Sequence, residues 1–548
     1  MPFVGEIFSQ LKAAASTTVL QEICDGRVTG VTGAELLEVV GKARTFLAAR
    51  GLQKGDRCGL LAANSIRWVA MDLAAMAEGL IVVPLYFRQA PAELVTMMND
   101  STPSLVCCGD APLRDGIQKG WPEAPPHFLF DEIFADAGAV PLDRPQVRDT
   151  DPVTIIYTSG TSGEAKGVVL TAANVGFMLG CTAARLDQLM DGRSGQDGIF
   201  HYLPFSFCAS WIAVLTFLKR GSLVTLNSDL AKIPSDMPAV APHYFLNVPQ
   251  LLERMRRGVD EQIAQKGGIA QAIYSRAKAA WPRKGSAHQS GDGIWLWFAD
   301  TLVFPTIRKK MVGENLKALI CGSAPLIPET QEYFRMLGIP VLQVYGLTET
   351  TGICTMDDPA SPVPGRVGPA IPGIEMRLGE NDEIVVRGPN IFTGYWNRPQ
   401  QTAEVLRDGW FHSGDQGEQD ASGNWRIVGR IKNLIVLGSG HKIAPETIED
   451  EIARVLPGAQ QVVVVGNGRG YLSAIVTGIV TADQVQAALD AVNPELPHYK
   501  QVRAFVLRPE PFSIENGMLT ANGKLKRDLI AARMKNEIDD MYRTVKTA

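Results

Sequence analysis

Residues 157–168, YTSGTSGEAKGV, carry four Ser/Thr hydroxyls (Thr158, Ser159, Thr161, Ser162), three glycines and one lysine directly after the apolar run PVTII. Glycines let backbone N–H groups converge with no Cβ in the way, and hydroxyls add short donors. Lys166 supplies positive charge, so the set suits phosphate oxygens. It is not a Walker A loop, because Ala165 and Gly167 stand where that motif places Gly and Ser/Thr around the lysine. A second glycine cluster, GNGRGY at 466–471, has tyrosine where a dinucleotide fingerprint needs its third glycine. That cluster predicts a hairpin turn at Asn467-Gly468. Alone, a Ser/Thr/Gly loop is more often a solvated turn, so phosphate binding must be argued from the rest of the chain. His412 and His441 lack partners at metal or triad spacing and are expected to be structural or pocket-lining. No G-x-S-x-G elbow occurs, which argues against a Ser-His-Asp hydrolase.

The frame that must position such a loop is large. At 548 residues, nearly half of them hydrophobic, the chain is expected to form at least two domains. Net charge is −5 with no long Lys/Arg run, which points away from a nucleic-acid partner. Eight cysteines without a CxxC pair fit reduced thiols rather than a disulfide or zinc framework. No signal-peptide pattern and no apolar run of spanning length appear, so a cytoplasmic protein is expected. Strand-like runs (RCGLLAAN, LIVVPLY, LVCCGD, SLVTLN, LKALICGS) alternate with helical ones such as SIRWVAMDLAAMAEG, opened by Ser65 and closed by Gly79. That alternation predicts an α/β architecture with mainly parallel sheet. After about Pro362 short strands with polar turns take over, and a compact αββα-like unit follows. The expected division is 1–430 and 431–548. Residues from about 258 to 292 read as a mobile insertion.

Four further stretches raise the weight of the first loop: YGLTETTG at 345–352, GWFHSGDQG at 409–417, GRIKNLIVLGSGHKIAPETIE at 429–449, and NGKLKR at 522–527. In this order and at these separations the set resembles the core motifs of the acyl-adenylate-forming superfamily, over roughly residues 29–530. The stretch LVFPTIRKKMVGENLKALICGSAPL…VLQVYGLTETTG is similar to that of long-chain fatty-acid–CoA ligases. The resemblance implies a multi-subdomain N-terminal α/β domain and a small α+β domain on a hinge.

It also implies roles. Thr158, Ser159, Gly160, Thr161, Ser162, Gly163 and Lys166 would wrap the β- and γ-phosphates of ATP, although Ala165 replaces the usual proline. Glu349 would hold Mg2+ with help from Thr158. Tyr345, beside Gly346, Leu347 and Thr348, would lie against adenine, and Gly322, Ser323, Ala324 and Pro325 would line the nucleotide pocket. Asp415 and Arg430 would reach the ribose. Lys524, from the small domain, would reach the substrate carboxylate and the α-phosphate, and Lys432 would be the pivot. In isolation each has a plainer reading: a helix-start acid for Glu349, a core ring for Tyr345, a turn residue for Asp415, solvated charges for the lysines.

For the acyl pocket the candidates are Phe207, standing where many relatives carry histidine, and Trp211 in the apolar CASWIAVLTFL. The run GIWLWFADTLVF at 293–304 reads as core or tunnel lining, with a shallow membrane contact at the inner face as the alternative. The expected activity is ATP-dependent acyl-AMP formation followed by transfer to the thiol of CoA. A carrier-protein acceptor and a non-catalytic nucleotide- or lipid-binding protein remain the alternatives, and the oligomeric state, a homodimer included, stays open.

Overall fold

The computed structural model describes residues 2–24, 26–121, 123–135, 147–159, 165–191, 195–285, 291–513, 515–520 and 523–543. The candidate loop residues Gly160, Thr161, Ser162 and Gly163 lie outside this set, as does the side chain of Ser159.

Two sheets dominate the N-terminal part. One runs in the order Thr355–Met356, Val341–Tyr345, Ala318–Cys321, Tyr244–Asn247, Gly198–His201, Leu223–Asn227, Thr18–Cys24, Arg27–Thr32. Its six inner strands pair in parallel. The other runs Gly394–Tyr395, Ala165–Thr171, Pro152–Ser159, Ile81–Leu85, Arg57–Leu61, Leu105–Cys108, His127–Leu129. Strands such as Ile81–Leu85 and Leu105–Cys108 are buried at every position, as continuous apolar runs in parallel sheet require. Helices fill the layers. Ile66–Ala77 starts at Ser65, whose hydroxyl accepts the Trp68 N–H at 3.1 Å, and ends before Gly79 at φ +72°. Every residue of it but the exposed Arg67 is buried, Asp72 included, so the helix is a core helix with one solvent contact.

The short strands expected after residue 362 form an antiparallel sheet built on the long strand Trp410–Gln419. Trp425–Arg430 pairs with it and leads into the 3-10 turn Ile431–Asn433. Beyond lies a separate C-terminal domain around the strands Ala459–Val465, Leu472–Gly478 and Val502–Arg508. The run VVVV resolves physically here. Val462 and Val464 face a core shared with Ile448, Ile452 and Leu489, whereas Val463 joins Ile475 against Ile530 and Met534. Alternation across one strand feeds two cores, which is why no polar position interrupts the run. The unit is therefore more than αββα: a third strand, parallel to the second, and the helix Ala482–Val492 complete it.

Of two expectations on loops, one holds and one is refined. The connection at 466–471 joins the antiparallel strands Ala459–Val465 and Leu472–Gly478, and its turn lies at Asn467-Gly468, closed by the Arg469 N–H donating to the Gly466 carbonyl at 2.9 Å. Gly468 takes positive φ there, and the Asn467 side chain accepts the Val436 N–H at 3.0 Å. The insertion expected to be loose is instead largely helical, with Pro249–Lys266 and Gly268–Ala280 meeting at Gly267 and Gly268, both at positive φ. Residues 286–290 lie outside the described set.

Candidate active site

The described flanks of the candidate loop are the two strands of a β-hairpin. Pro152–Ser159 and Ala165–Thr171 pair antiparallel, with Thr158 opposite Lys166 and Tyr157 opposite Gly167. Directly opposed residues share a face, so the Thr158 hydroxyl and the Lys166 stem stand side by side. Gly167 is required here, because a Cβ would come within 2.7 Å of Ile155 and 3.2 Å of the Tyr157 ring. That ring is itself held, its hydroxyl donating to Asp100 at 2.7 Å while Arg398 pairs with the same carboxylate at 2.9 Å.

Gly394–Tyr395 pairs with the second hairpin strand and carries Tyr395 to the lysine. The Lys166 ammonium lies 5.0 Å from the Tyr395 ring centroid, and the Tyr395 hydroxyl donates to Glu349 at 2.8 Å. Glu349 sits in the turn Thr348–Thr350, just past the C-terminal end of Val341–Tyr345, and its carbonyl accepts the Phe392 N–H. The turn is tight. A Cβ at Gly346 would fall 2.4 Å from the Gly352 carbonyl oxygen, so only glycine lets the two backbones pass. Neither Tyr395 nor its role as a bridge was readable from spacing, since 46 residues separate it from Glu349. Only the strand pairing reveals it.

The other half of the cleft forms a chain of hydrogen bonds. The Tyr345 hydroxyl donates to Asp415 Oδ2 at 2.8 Å, and Arg430 Nε donates to Asp415 Oδ1 at 2.7 Å across the same antiparallel pair. Burial, then the Asp415 charge, raises the Tyr345 pKa well above the ordinary phenol range. A carboxylate has about four acceptor sites, so two remain on Asp415 for further hydroxyls. The GSAP turn follows Ala318–Cys321 on the adjacent strand, with Ser323 held at φ +75°, a left-handed backbone that a non-glycine residue adopts only under constraint. Thus two motifs, GSAP and YGLTE, stand at the carboxyl ends of neighbouring parallel strands, the usual place for a ligand crevice in such sheets.

Lys524 reaches this cleft from the C-terminal domain. Its loop is tied by Thr520, whose N–H donates to the Lys524 carbonyl at 2.8 Å and whose hydroxyl accepts the Lys524 N–H at 3.1 Å. The side chain keeps solvent-accessible surface, yet protein crowds round the ammonium. That desolvation, and then Arg430, pull its pKa below the ordinary lysine range, while Asp415 and Glu349 oppose the shift. Three residues on, Arg527 makes a bidentate pair with buried Glu449 at 2.7 and 2.5 Å. Lys432 stands in the Ile431–Asn433 turn, where desolvation, then Arg430, lowers its pKa to about 8.

The two acyl-pocket candidates separate. Phe207 caps the helix Cys208–Arg220 with its ring half-buried, 5.7 Å from Tyr86. Trp211 instead lies wholly in the core, its indole N–H donating to buried Asp72 at 2.8 Å. Phe207 stands at the entry of the helix, and Trp211, a turn further on, lies where the helix has passed into the core; the uniformly apolar run carries no sign of that change in depth. His412 pairs with Glu383 at 2.8 Å, and His441 stacks on Tyr499 at 4.3 Å, so both are structural. Among the described residues no cluster of three or more His, Cys, Asp or Glu gathers to hold a metal alone.

Residues 10–396 match the AMP-binding enzyme family, and residues 432–546 match the AMP-binding enzyme C-terminal domain. The chain is similar to the long-chain-fatty-acid–CoA ligase FadD15 of Mycobacterium bovis, 27% identical over 98% of this chain and 96% of the relative. It is 28% identical to long chain acyl-CoA synthetase 2 of Arabidopsis thaliana, covering 95% and 88%. Among solved structures, ATP-bound MatB of Rhodopseudomonas palustris superposes with a TM-score of 0.74 at 25% identity, covering 97% of this chain and 99% of that one. The o-succinylbenzoate CoA synthetase of Bacillus subtilis shares the fold with a TM-score of 0.76 at 20% identity, covering 96% and 97%.

Proposed function

This chain belongs to the AMP-binding enzyme family, and on that premise we propose that it is an AMP-forming ligase that activates a long-chain fatty acid with ATP and passes it to CoA. The observation that carries the reading is the meeting of Lys524, from one domain, with Glu349, Asp415 and Arg430 of the other. A pure binding module has no need of a lysine delivered across a domain boundary into a cleft of carboxylates.

In the first half-reaction a carboxylate oxygen of the acid attacks the α-phosphorus of ATP. The bond from that phosphorus to the bridging oxygen breaks, and pyrophosphate leaves with the electron pair. Two anions must approach, so the charge that develops between them is what the protein has to neutralise. Lys524 does this at the α-phosphate, while Lys166 and the hairpin backbone hold the β- and γ-phosphates. Tyr345 offers its ring to adenine, and Asp415 uses its remaining acceptor sites on the ribose hydroxyls with Arg430 alongside. Glu349 and Thr158 fit Mg2+, a hard cation that takes one or two protein oxygens and leaves the rest of its shell to phosphate and water. When bound, that ion neutralises phosphate charge. In the second half-reaction the CoA sulfur attacks the acyl carbon, the bond to the AMP oxygen breaks, and the thiol proton passes to solvent. The domains 1–430 and 431–548 turn about Lys432 between the two.

The fatty-acid assignment draws on the named relatives and on Phe207 and Tyr86, which set aromatic rings beside the cleft. A panel of acids from acetate to long-chain fatty acids, scored for AMP production with and without CoA, tests it. Medium-to-long saturated acids are expected to exceed acetate and benzoate by at least about tenfold in kcat/KM, since each buried CH₂ is worth roughly 0.8 kcal/mol. A best substrate that is short or aromatic would overturn the substrate assignment. Turnover that ignores CoA but responds to a phosphopantetheine carrier protein would move the acceptor, and no pyrophosphate release with any acid would leave a binding protein.

A further inference from the structure

Between the strands Tyr244–Asn247 and Ala318–Cys321 lies a basic segment in an acidic chain: residues 249–313 hold eleven Lys and Arg against five Asp and Glu, while the whole carries −5. Its last helical run, Asp292–Phe298, Ala299–Val303 and Phe304–Val312, is two-sided. Ala299, Val303, Phe304 and Val312 are buried against the core. On the other side Ile294 is 59%, Trp297 62% and Leu302 60% exposed, and Ile269, on the contacting helix Gly268–Ala280, is 81% exposed. The middle stretch is π-helical, and its i→i+5 turn keeps Leu302 on the side of Trp297, where an α-helix would carry it round. Cations frame the patch. The Arg276 guanidinium stands 4.2 Å over the Trp295 ring, and Lys310 is exposed at the far end of the run beside Lys309, which pairs with Glu314 at 2.5 Å, while Asp300 within the run pairs with Arg308 at 3.4 Å.

Large exposed apolar side chains grouped on one helical face, with Lys and Arg around them, are the composition of a helix that lies in a membrane interface. We propose that this face docks on the surface of an anionic phospholipid bilayer, with Ile294, Trp297 and Leu302 entering the headgroup region and Lys309 and Lys310 engaging lipid phosphates. The attachment is shallow, since no helix of the described residues is long and apolar enough to cross a membrane. A symmetric second copy would set this basic face against itself, so the positive charge of the segment selects anionic lipid over a self-contact through this face. The proposal stands on this face alone and not on which acid the cleft activates.

The test is co-sedimentation of the full chain with phosphatidylcholine vesicles, with and without phosphatidylglycerol. Binding is expected to the anionic vesicles and to weaken with salt. Ile294→Ser/Trp297→Ser/Leu302→Ser should weaken it at least about tenfold, since burying even part of three such side chains exceeds that ratio. Lys309→Gln/Lys310→Gln should weaken it severalfold, and only where phosphatidylglycerol is present. Should the triple variant melt early, brominated lipid supplies a readout that needs no destabilising change: quenching of tryptophan emission in the parent should fall in Trp297→Leu. Parent protein that ignores both vesicles, a triple variant that binds as the parent does, or quenching that Trp297→Leu leaves unchanged would overturn the proposal. So would a triple variant that loses a dimer and nothing else, because a second copy would then be the occupant.

Discussion

At the scale of the residue, two ionisable groups are shifted from their ordinary behaviour, and each can be tested. In the proposed mechanism Lys524 works as the ammonium ion, and its surroundings lower its pKa. The charged form therefore persists at low pH and is lost as pH rises through a value below the usual lysine range. Acid-dependent ATP–pyrophosphate exchange, followed as kcat/KM, should fall along that limb, and Lys524→Arg should remove the limb whatever rate remains. Lys524→Ala should cost about a hundredfold or more in exchange, the size of one transition-state contact, while CoA still discharges supplied acyl-AMP. Equal losses in both half-reactions would make Lys524 a folding residue. The second group is Asp72, buried beneath Trp211, whose carboxyl is pushed up to about 7 by desolvation although the Trp211 N–H opposes the shift. A raised folded-state pKa means that stability is full below the unfolded value near 4 and is lost as pH climbs through 7. Asp72→Asn keeps an acceptor for the indole and removes the titration. Its melting temperature should exceed the parent's by a wider margin at pH 8 than at pH 5, and a margin independent of pH would acquit this aspartate.

At the scale of the element, the cleft depends on how short pieces of backbone are pinned. The hairpin carrying Lys166 is braced by Tyr157 on Asp100, and Tyr395 arrives through the two-residue strand Gly394–Tyr395. On the other domain, the loop bearing Lys524 runs directly into the helix Arg527–Arg533. The first residue of that helix is locked to Glu449, which also accepts the Val464 N–H at 2.7 Å. Arg527→Met leaves that buried carboxylate unpaired, which is expected to cost about 3–5 kcal/mol. It should also slow adenylation more than thioester formation, because in the proposed mechanism only the first step relies on the placement of Lys524. In Arg527→Met/Glu449→Met the stability should largely return while the adenylation defect stays. Calorimetry and the two half-reactions on both variants read this out, and a double variant that adenylates normally would show that the ion pair does not position the lysine.

At the scale of the molecule, the arrangement seen is the one that puts Lys524 in the cleft, with inter-domain contacts such as Arg454 to Glu329 at 3.2 Å and Lys526 to Glu93 at 3.7 Å. The proposed mechanism calls for another arrangement in thioester formation, and the turn Ile431–Asn433 is the short connection that would have to absorb the change. Proline fixes φ near −65°, so Lys432→Pro should hold the domains in one state. Acyl-AMP is expected to form still, while its discharge by CoA slows sharply, at an unchanged melting temperature. Normal thioester formation by a well-folded Lys432→Pro protein would place the pivot elsewhere.

The linear sequence by itself determined the α/β class, since strand and helix periodicities are local, and it held the motifs because their order and spacing survive in one dimension. Strands such as Arg57–Leu61 and the capped helix Ile66–Ala77 were legible for that reason. Tertiary structure alone decided which residues share a site. Tyr395 reaches Glu349 only through strand pairing, and Trp211 turns into the core although its whole neighbourhood is apolar. In 293–304 the same ambiguity resolved the other way, since an apolar run does not say which of its sides the protein covers. Valine or tryptophan reports that burial is favourable, but its partner is chosen by packing between elements far apart in the chain. The reach of Lys524 across a domain boundary is of that kind, because a distance between domains has no trace in the spacing of residues within either.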